Sequence, residues 1–293
     1  MTAPTAGAAS SPTLPAVAAK VVEIRAKSGL AALDLRPVLR ALWEFRGLAL
    51  FLAWRDLKVR YKQTVLGALW AVIQPVTTTV IFTLVFSRLA GLPSEGKPYA
   101  LFAYAAVLPW TFFAGALTQV GNSLIAERNL ITKVYFPRMV VPVSAGLAGL
   151  VDLAISFGVF VAMLGFYGIV PSVTALCVPV LVVLALGAAL GVGMWLAALN
   201  VLYRDFRHVI PFMIQVWMFI SSVVYPSSLV PAEYRSLHAL NPMVGVIDGF
   251  RWALLGTPFP APALGTALVV VPALLISGAL YFQHVERKIA DVI

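Results

Sequence analysis

Six long apolar stretches constrain the fold of this 293-residue chain more than any other feature of its sequence. Each approaches or exceeds the roughly 20 residues that an α-helix needs to cross a bilayer. Charged residues make up only 11% of the chain, whereas soluble domains average about 25%. These proportions predict an all-α integral membrane protein with six transmembrane helices per protomer. The predicted spans are residues 66–86, 99–120, 139–167, 173–199, 209–225 and 263–282.

The distribution of lysine and arginine between these spans predicts how the chain is oriented. Segments on the side of the N-terminus hold 17 of the 21 Lys and Arg residues, and segments on the opposite side hold four. Because basic residues accumulate on the cytoplasmic side of membrane proteins, we expect both termini to be cytoplasmic. The net charge of +9 is divided among short loops, so we do not expect a nucleic-acid partner.

Composition divides the chain into a tail at 1–20, a helical segment at 21–64, a transmembrane domain at 65–285 and a cytoplasmic tail at 286–293. The first tail is rich in Ala, Pro, Ser and Thr and is predicted to be disordered. Near the end of the helical segment, helical spacing puts Arg55, Lys58 and Lys62 on one face and apolar or aromatic side chains on the other. This pattern favours an amphipathic helix at the membrane surface over a solvated helix of a soluble domain.

The segment between the fifth and sixth spans, residues 226–262, is too long for a tight turn and too apolar for an exposed loop. Its prolines and glycines divide it into short pieces, so we predict two re-entrant helices that dip into the outer leaflet. Asp248 and Arg251 lie at i and i+3 of one such piece and are predicted to form an ion pair.

Motifs for nucleotide or metal binding are weak in this chain. GLPSEGKP, at residues 91–98, approaches the phosphate-binding pattern G-x-x-x-x-G-K-[ST], but Pro98 replaces the hydroxyl residue that would hold the metal. The segment is also predicted to lie outside the cytoplasm. The three histidines lie far apart without metal-ligand spacing, and the single Cys177 has no disulfide partner. We therefore expect no cofactor in this chain, and any ATP would be hydrolysed by another chain.

Polar and aromatic residues inside the spans leave alternatives open. Asp152, midway through the third span, is either a gate or substrate contact, or a structural hydrogen-bond partner of another helix. Central aromatic residues either stack on sugar rings in a pathway or pack between helices. These are Trp110, Phe112, Phe113 and Trp217. GAALG, at residues 187–191, has the G-x-x-x-G spacing that permits close helix packing, and we assign it to packing.

Two internal loops mix charged residues with large apolar ones. They are ERNLITKVYFPR at 127–138 and NVLYRDFRHVIP at 200–211. A loop selected only for solubility would not carry so many apolar side chains. The mixture is typical of a surface that docks into a partner protein.

Four sequence blocks together resemble the permease subunit of type-2 ATP-binding-cassette exporters of surface polysaccharides, the family of O-antigen, capsule and teichoic-acid exporters. The blocks are RDLKVRYKQTVLGALWAVIQP, NLITKVYFPRMVVPVSA, NVLYRDFRHVIPF and NPMVGVIDGFRWALLG. They are collinear with the family over about residues 40–285. Ser222 departs from the pattern, since it occupies a position where the family often has proline, and this puts the local kink in question.

The resemblance implies a channel-forming homodimer in the inner membrane of a bacterium, together with two copies of a separate ABC ATPase that binds ATP and Mg²⁺. The expected substrate is a polysaccharide linked to a polyprenyl pyrophosphate. One alternative is a type-2 exporter of a small lipophilic molecule. Another is a membrane enzyme acting on lipid-linked sugars, which would need Asp, His or Arg clustered at one membrane face.

The resemblance also implies roles for individual residues. The fifth span and the re-entrant helices would form an outer gate that includes Tyr225, while Asp152 and the central aromatic residues would line the channel. The basic residues of the interfacial helix would either bind the lipid pyrophosphate or only anchor the chain to anionic lipids; they are Arg55, Lys58, Arg60 and Lys62. The expected contacts with the ATPase are Glu127, Arg128, Lys133, Tyr135, Phe136, Arg138, Arg204 and Asp205.

Overall fold

The computed structural model describes residues 36–62, 67–134, 136–203 and 205–292, and every regular element within these ranges is helical. The predicted tail at 1–20, Tyr135 and Arg204 lie outside the described residues. The helices are α1 (Arg36–Glu44), α2 (Arg46–Lys62), α3 (Trp70–Phe82), α4 (Tyr99–Ala126), α5 (Arg128–Lys133), α6 (Val140–Phe166), α7 (Val178–Leu202), α8 (Phe206–Ile220), α9 (Arg235–Ala239), α10 (Pro242–Leu255) and α11 (Ala261–Val292).

Five of the described helical stretches are long and apolar enough to cross a membrane. They are Trp70–Leu89, Tyr99–Ala126, Val140–Phe166, Val173–Leu202 and Ala261–Glu286. They coincide with the first four predicted spans and the last one, so the all-helical membrane fold is confirmed. Helix α8 takes the place of the fifth predicted span but has only 15 residues. At 1.5 Å per residue it covers about 22 Å, less than the roughly 30 Å hydrocarbon core.

Helix α4 is the centre of the bundle. Residues 101–108, which carry apolar side chains all around the helix, are each at most 1% exposed. A helix that is apolar on every side must be covered by other helices, and α4 packs against α3, α6, α7 and α10. Near its C-terminal end one face of α4 stays open, at Thr118 and Ala126.

Glycines allow α7 to approach α11 closely. A Cβ atom on Gly191 would lie 2.8 Å from the carbonyl carbon of Leu274. A Cβ atom on Gly278 would lie 2.2 Å from the carbonyl oxygen of Gly191. Neither position can hold a larger side chain without separating the two helices, so the assignment of GAALG to helix packing is confirmed.

Helix α2 lies along α6, with Leu52 and Leu57 buried. The predicted division of its faces holds only in part, because Trp54 is 62% exposed although it shares the face of Leu57. The C-terminal half of α2 carries the predicted interfacial basic residues, and two of them, Arg55 and Arg60, line a space shared with α4 and α6.

Candidate functional site

A cavity of about 670 Å³ lies between α3, α4, α6 and α8. Its wall mixes apolar groups with hydroxyl and amide groups, including Gln74, Thr78, Thr111 and Ser156. Among the described residues that line it, Arg60 and Asp152 are the only charged ones. The cavity is therefore polar enough for water and hydroxyl groups yet nearly neutral, and Thr118 on its wall is exposed.

One stripe of α4 forms the floor of this cavity. Thr111, Gly115 and Thr118 follow one another at helical spacing and all line it. The Thr118 hydroxyl donates to the Ala114 carbonyl oxygen at 2.8 Å, which satisfies the hydroxyl within the helix. A Cβ atom on Gly115 would meet no atom within 4 Å. The absence of a side chain at Gly115 therefore leaves space in the cavity and is not required by packing.

A second cavity, of about 480 Å³, adjoins the first. It lies between α2, α4 and α6, and its lining includes the polar residues Arg55, Asn122 and Glu127. Arg60, Thr118 and Gln119 line both cavities. These three side chains therefore stand at the boundary between the two spaces.

Four side chains at this boundary are joined by hydrogen bonds, and we call them the Arg60 bridge. The Arg60 guanidinium donates to the carboxylate of Asp152 on α6 and to the amide oxygen of Gln119 on α4. The Tyr61 hydroxyl donates to the other carboxylate oxygen of Asp152. Asp152 thus makes hydrogen bonds between helices, as expected of a structural residue. It also lines the cavity, as expected of a gate or substrate contact.

Burial, followed by the bond to Asp152, raises the pKa of Tyr61 to about 12. The hydroxyl therefore keeps its proton at neutral pH and remains a donor. Tyr61 and Gln119 were not among the site residues predicted from the sequence. For Gln119, the signal in the sequence was the series of polar residues inside the otherwise apolar α4: Thr111, Thr118, Gln119 and Asn122.

The other predicted interfacial cations differ in their surroundings. Arg55 donates to its neighbour Asp56 at 2.7 Å and to Glu127 at the end of α4. Lys58 and Lys62 are exposed, and neither forms an ion pair with any residue that the structure describes. The basic block therefore contains two arginines held against the bundle and two exposed lysines.

The predicted ATPase-contact residues fall into exposed and buried groups. Arg128, Lys133 and Asp205 are exposed. Phe136 is 7% exposed and packs into a small core with α2 and α11. The Arg138 guanidinium donates to the Glu286 carbonyl oxygen at 2.7 Å, which ties the loop to the last helix. Among the described apolar side chains of this loop, Val134 is the most exposed, at 53%.

The central aromatic residues lie mostly within the bundle. Trp110, Phe112 and Phe113 are at most 5% exposed, although Trp110 and Phe112 also contribute to the cavity wall. Trp217 packs edge-on against Phe113 with ring centroids 5.1 Å apart. Its indole N–H donates to the Asn241 side-chain oxygen at 2.9 Å. Packing accounts for all the described contacts of Phe113.

A second polar cluster lies at the end of the bundle away from the Arg60 bridge. Arg251 is 2% exposed, and its Nη1 lies 3.3 Å from Asp248 Oδ1, so the predicted ion pair is confirmed. The guanidinium also donates to the carbonyl oxygens of Val223 and Tyr225 and lies 3.7 Å from the ring centroid of Phe102. Burial lowers the pKa of Arg251 to about 10, so it remains charged at neutral pH.

The departure at Ser222 has a structural explanation. Its φ is +55°, in the left-handed region that proline cannot adopt. Its hydroxyl lies 3.0 Å from both the Ser227 hydroxyl and the His238 ring, and Ser227 donates to Asp248 at 2.5 Å. The chain therefore turns here through a network of polar side chains. The predicted gate residue Tyr225 lies beside this turn, and its hydroxyl donates to the Phe219 carbonyl oxygen.

Comparison with known proteins identifies the family. Residues 48–255 match the family model of the ABC-2 type transporter. The O-antigen export system permease protein RfbA of Myxococcus xanthus is 30% identical over 260 residues, which cover 87% of this chain and 99% of that protein. RfbA of Klebsiella pneumoniae is 25% identical over 82% of this chain and 92% of its own length. The polysialic acid transport protein KpsM of Escherichia coli is 22% identical over 83% of this chain and 95% of its own length. The chain belongs to the ABC-2 type transporter family.

Proposed function

We propose that this chain is the channel-forming subunit of an ATP-driven exporter that moves a lipid-linked polysaccharide across the inner membrane of a bacterium. The observation that carries the proposal is the 670 Å³ cavity, whose wall combines hydroxyl and amide groups with apolar surface and almost no net charge. Sugars bind through hydroxyl contacts and through the faces of their rings, so such a wall suits a glycan. The similarity to O-antigen and polysialic acid permeases supports the same substrate class.

A homodimer would convert this open cavity into a channel. A polysaccharide is too long to be enclosed in one cavity, so it needs a continuous path through the membrane. Two copies that face each other across the stripe of Thr111, Gly115 and Thr118 would close the open side of each cavity. In this arrangement the α8 helix of each copy would lie near the path.

The topology that we propose has six spans, with both termini in the cytoplasm. Helix α8, extended by the turn after Ile220, would be the fifth span, and α9 and α10 would be re-entrant helices of the outer leaflet. The excess of Lys and Arg in the segments assigned to the inside supports this orientation. Two copies of an ABC ATPase, which bind ATP and Mg²⁺, would dock on the cytoplasmic loops.

Deletion of the gene tests the function directly. We expect lipid-linked glycan to accumulate inside the cells and the same glycan to disappear from the surface, with both reversed by a plasmid copy. The glycan is measured by extraction of lipid-linked sugars and by surface labelling with a lectin or antibody. A deletion strain with unchanged surface glycan, or one that accumulates a small lipophilic compound and no glycan, would contradict the proposal.

Replacing Val134 with aspartate should uncouple ATP hydrolysis from export. Val134 is an exposed apolar residue of the loop proposed to dock on the ATPase, and a charge there would have to be desolvated on docking. We expect about a tenfold loss of export while the protein remains inserted. Export is measured by surface glycan, and coupling by the ATPase activity of the purified complex.

The matched control for this variant is Val170→Asp. Val170 is 88% exposed in the loop between α6 and α7, which is assigned to the opposite side of the membrane. Export should remain at the wild-type level in this variant. Equal losses from the two substitutions would mean that the Val134 loop has no special role in coupling.

A further inference from the structure

The Arg60 bridge lies where the two cavities meet. The smaller cavity lies beside α2 and the C-terminal end of α4, and the larger one continues along α4 towards α8 and Val223. Arg60 and Gln119 line both cavities and are bonded to each other. A molecule that moved from the smaller cavity to the larger one would therefore pass the Arg60 guanidinium.

The chemistry of the bridge is that of an anion site. A guanidinium offers two parallel N–H donors that match the oxygens of a carboxylate or a phosphate. Tyr61 adds a neutral O–H donor that points at the same anion. In the structure that anion is the Asp152 carboxylate, which accepts hydrogen bonds from both residues. The Asp152 carboxylate therefore lies where a phosphate group would accept hydrogen bonds from the same two residues.

The bridge is also accessible. The Arg60 side chain is 33% exposed and the Asp152 side chain is 30% exposed, so neither is sealed inside the bundle. Arg55, the other arginine held against the bundle, already contacts two carboxylates, Asp56 and Glu127. Arg55 lines only the smaller cavity, whereas Arg60 lines both.

We propose that Arg60 and Tyr61 form a binding site for a diphosphate headgroup at the boundary between the two cavities, and that Asp152 is a built-in competitor which occupies this site when the headgroup is absent. The inference rests on the proposed function, because a lipid-linked substrate supplies the diphosphate. Of the four basic residues predicted to bind the pyrophosphate, it assigns the headgroup to Arg60 alone. It adds the Tyr61 hydroxyl as a second donor and the Asp152 carboxylate as a competitor. Lys58 and Lys62 are exposed and line neither cavity, which leaves them to attract anionic lipids.

Equilibrium binding of geranylgeranyl diphosphate to the purified full chain in phosphatidylcholine nanodiscs tests the proposal. Asp152→Asn removes the competing charge and keeps an oxygen that can accept from Tyr61, so we expect about a tenfold lower Kd. Arg60→Gln should raise the Kd at least about tenfold. Tyr61→Phe removes one donor, and we expect it to raise the Kd about threefold.

The matched charge control is Arg46→Gln, on the same helix as Arg60. Arg46 is exposed, lines neither cavity and donates to the Trp43 carbonyl oxygen. Its replacement changes the net charge equally and should leave the Kd within about twofold, because exposed charges are screened by salt. A similar weakening by Arg46→Gln and Arg60→Gln would overturn the proposal, as would an Asp152→Asn variant that binds no more tightly than the wild type. If Arg60→Gln does not fold, the Asp152→Asn result decides.

Competition experiments identify which part of geranylgeranyl diphosphate the site binds, the diphosphate or the prenyl chain. Displacement by inorganic pyrophosphate supports a site for the diphosphate itself, and a much higher affinity for geranylgeranyl diphosphate assigns that diphosphate to a lipid. Displacement by geranylgeraniol but not by pyrophosphate would overturn the proposal, because only the prenyl chain would then be recognised. The deletion experiment is independent of these results. Glycan accumulation without diphosphate binding would reject this site and leave the exporter function standing.

Discussion

Replacing Gly115 with leucine should reduce export to below about one tenth of the wild-type rate, because it narrows the path through which the glycan moves. Gly115 lies on the cavity floor, and a Cβ atom there would meet no atom within 4 Å. The first side-chain atom of a leucine therefore fits without a clash, and the rest of the side chain would extend into the cavity. In the proposed homodimer two such leucines would face the channel. Surface glycan and the amount of inserted protein are measured together.

Gly158→Leu is the matched control for this substitution. Gly158 also lies within a long helix, is exposed and has open space around its Cα atom, but it does not line the cavity. The two variants carry the same side chain, and at both sites a Cβ atom would meet no atom within 4 Å. Normal export by Gly115→Leu, or an equal loss in both variants, would contradict the assignment of this cavity to the transport path.

Replacing Arg251 with leucine should lower the stability of the protein by about 3–5 kcal/mol, the usual cost of removing one partner from a buried ion pair. The guanidinium is 2% exposed, and its loss removes a hydrogen-bond donor from Asp248 and from the carbonyl oxygens of Phe102, Val223 and Tyr225. Val223 and Tyr225 would then lose their connection to α10. The midpoint of thermal unfolding in detergent should fall clearly, and cells should contain less inserted protein.

Arg235→Leu provides the comparison for this effect. Arg235 lies in the same region of the chain and also donates to two backbone carbonyl oxygens, those of Val230 and Ser228, but it is exposed. Water can replace its bonds, so the unfolding midpoint should change little. A midpoint for Arg251→Leu that equals the wild-type value would show that the buried pair does not hold the 223–225 segment in place.

Local patterns predicted the parts of this protein that depend on neighbouring residues. The five long spans follow from apolar runs, and the Asp248–Arg251 pair follows from spacing along one helix. The glycines of GAALG indicated a packing seam because their spacing puts them on one helix face. In each case the sequence signal lies in residues within a few turns of one another on a single helix.

Which basic residues of α2 contact the bundle, and which stay exposed, could not be predicted in the same way. Arg60 and Asp152 are 92 positions apart, and Arg55 and Glu127 are 72 apart. Whether a cation meets a carboxylate at such separations depends on how α2 lies against α4 and α6. The helical wheel treated Arg55, Lys58 and Lys62 as one face, whereas the fold holds Arg55 against the bundle and leaves both lysines exposed.

By itself the sequence determined that this chain enters a membrane as a helical bundle, because the free energy of burying an apolar segment in lipid is a sum over its own residues. Only the tertiary structure decided which of those helices border a cavity, which glycine opens it, and which arginine stands at its boundary. These properties depend on distances between segments far apart in the chain. Such distances are set by the packing of whole helices, to which every residue of the bundle contributes.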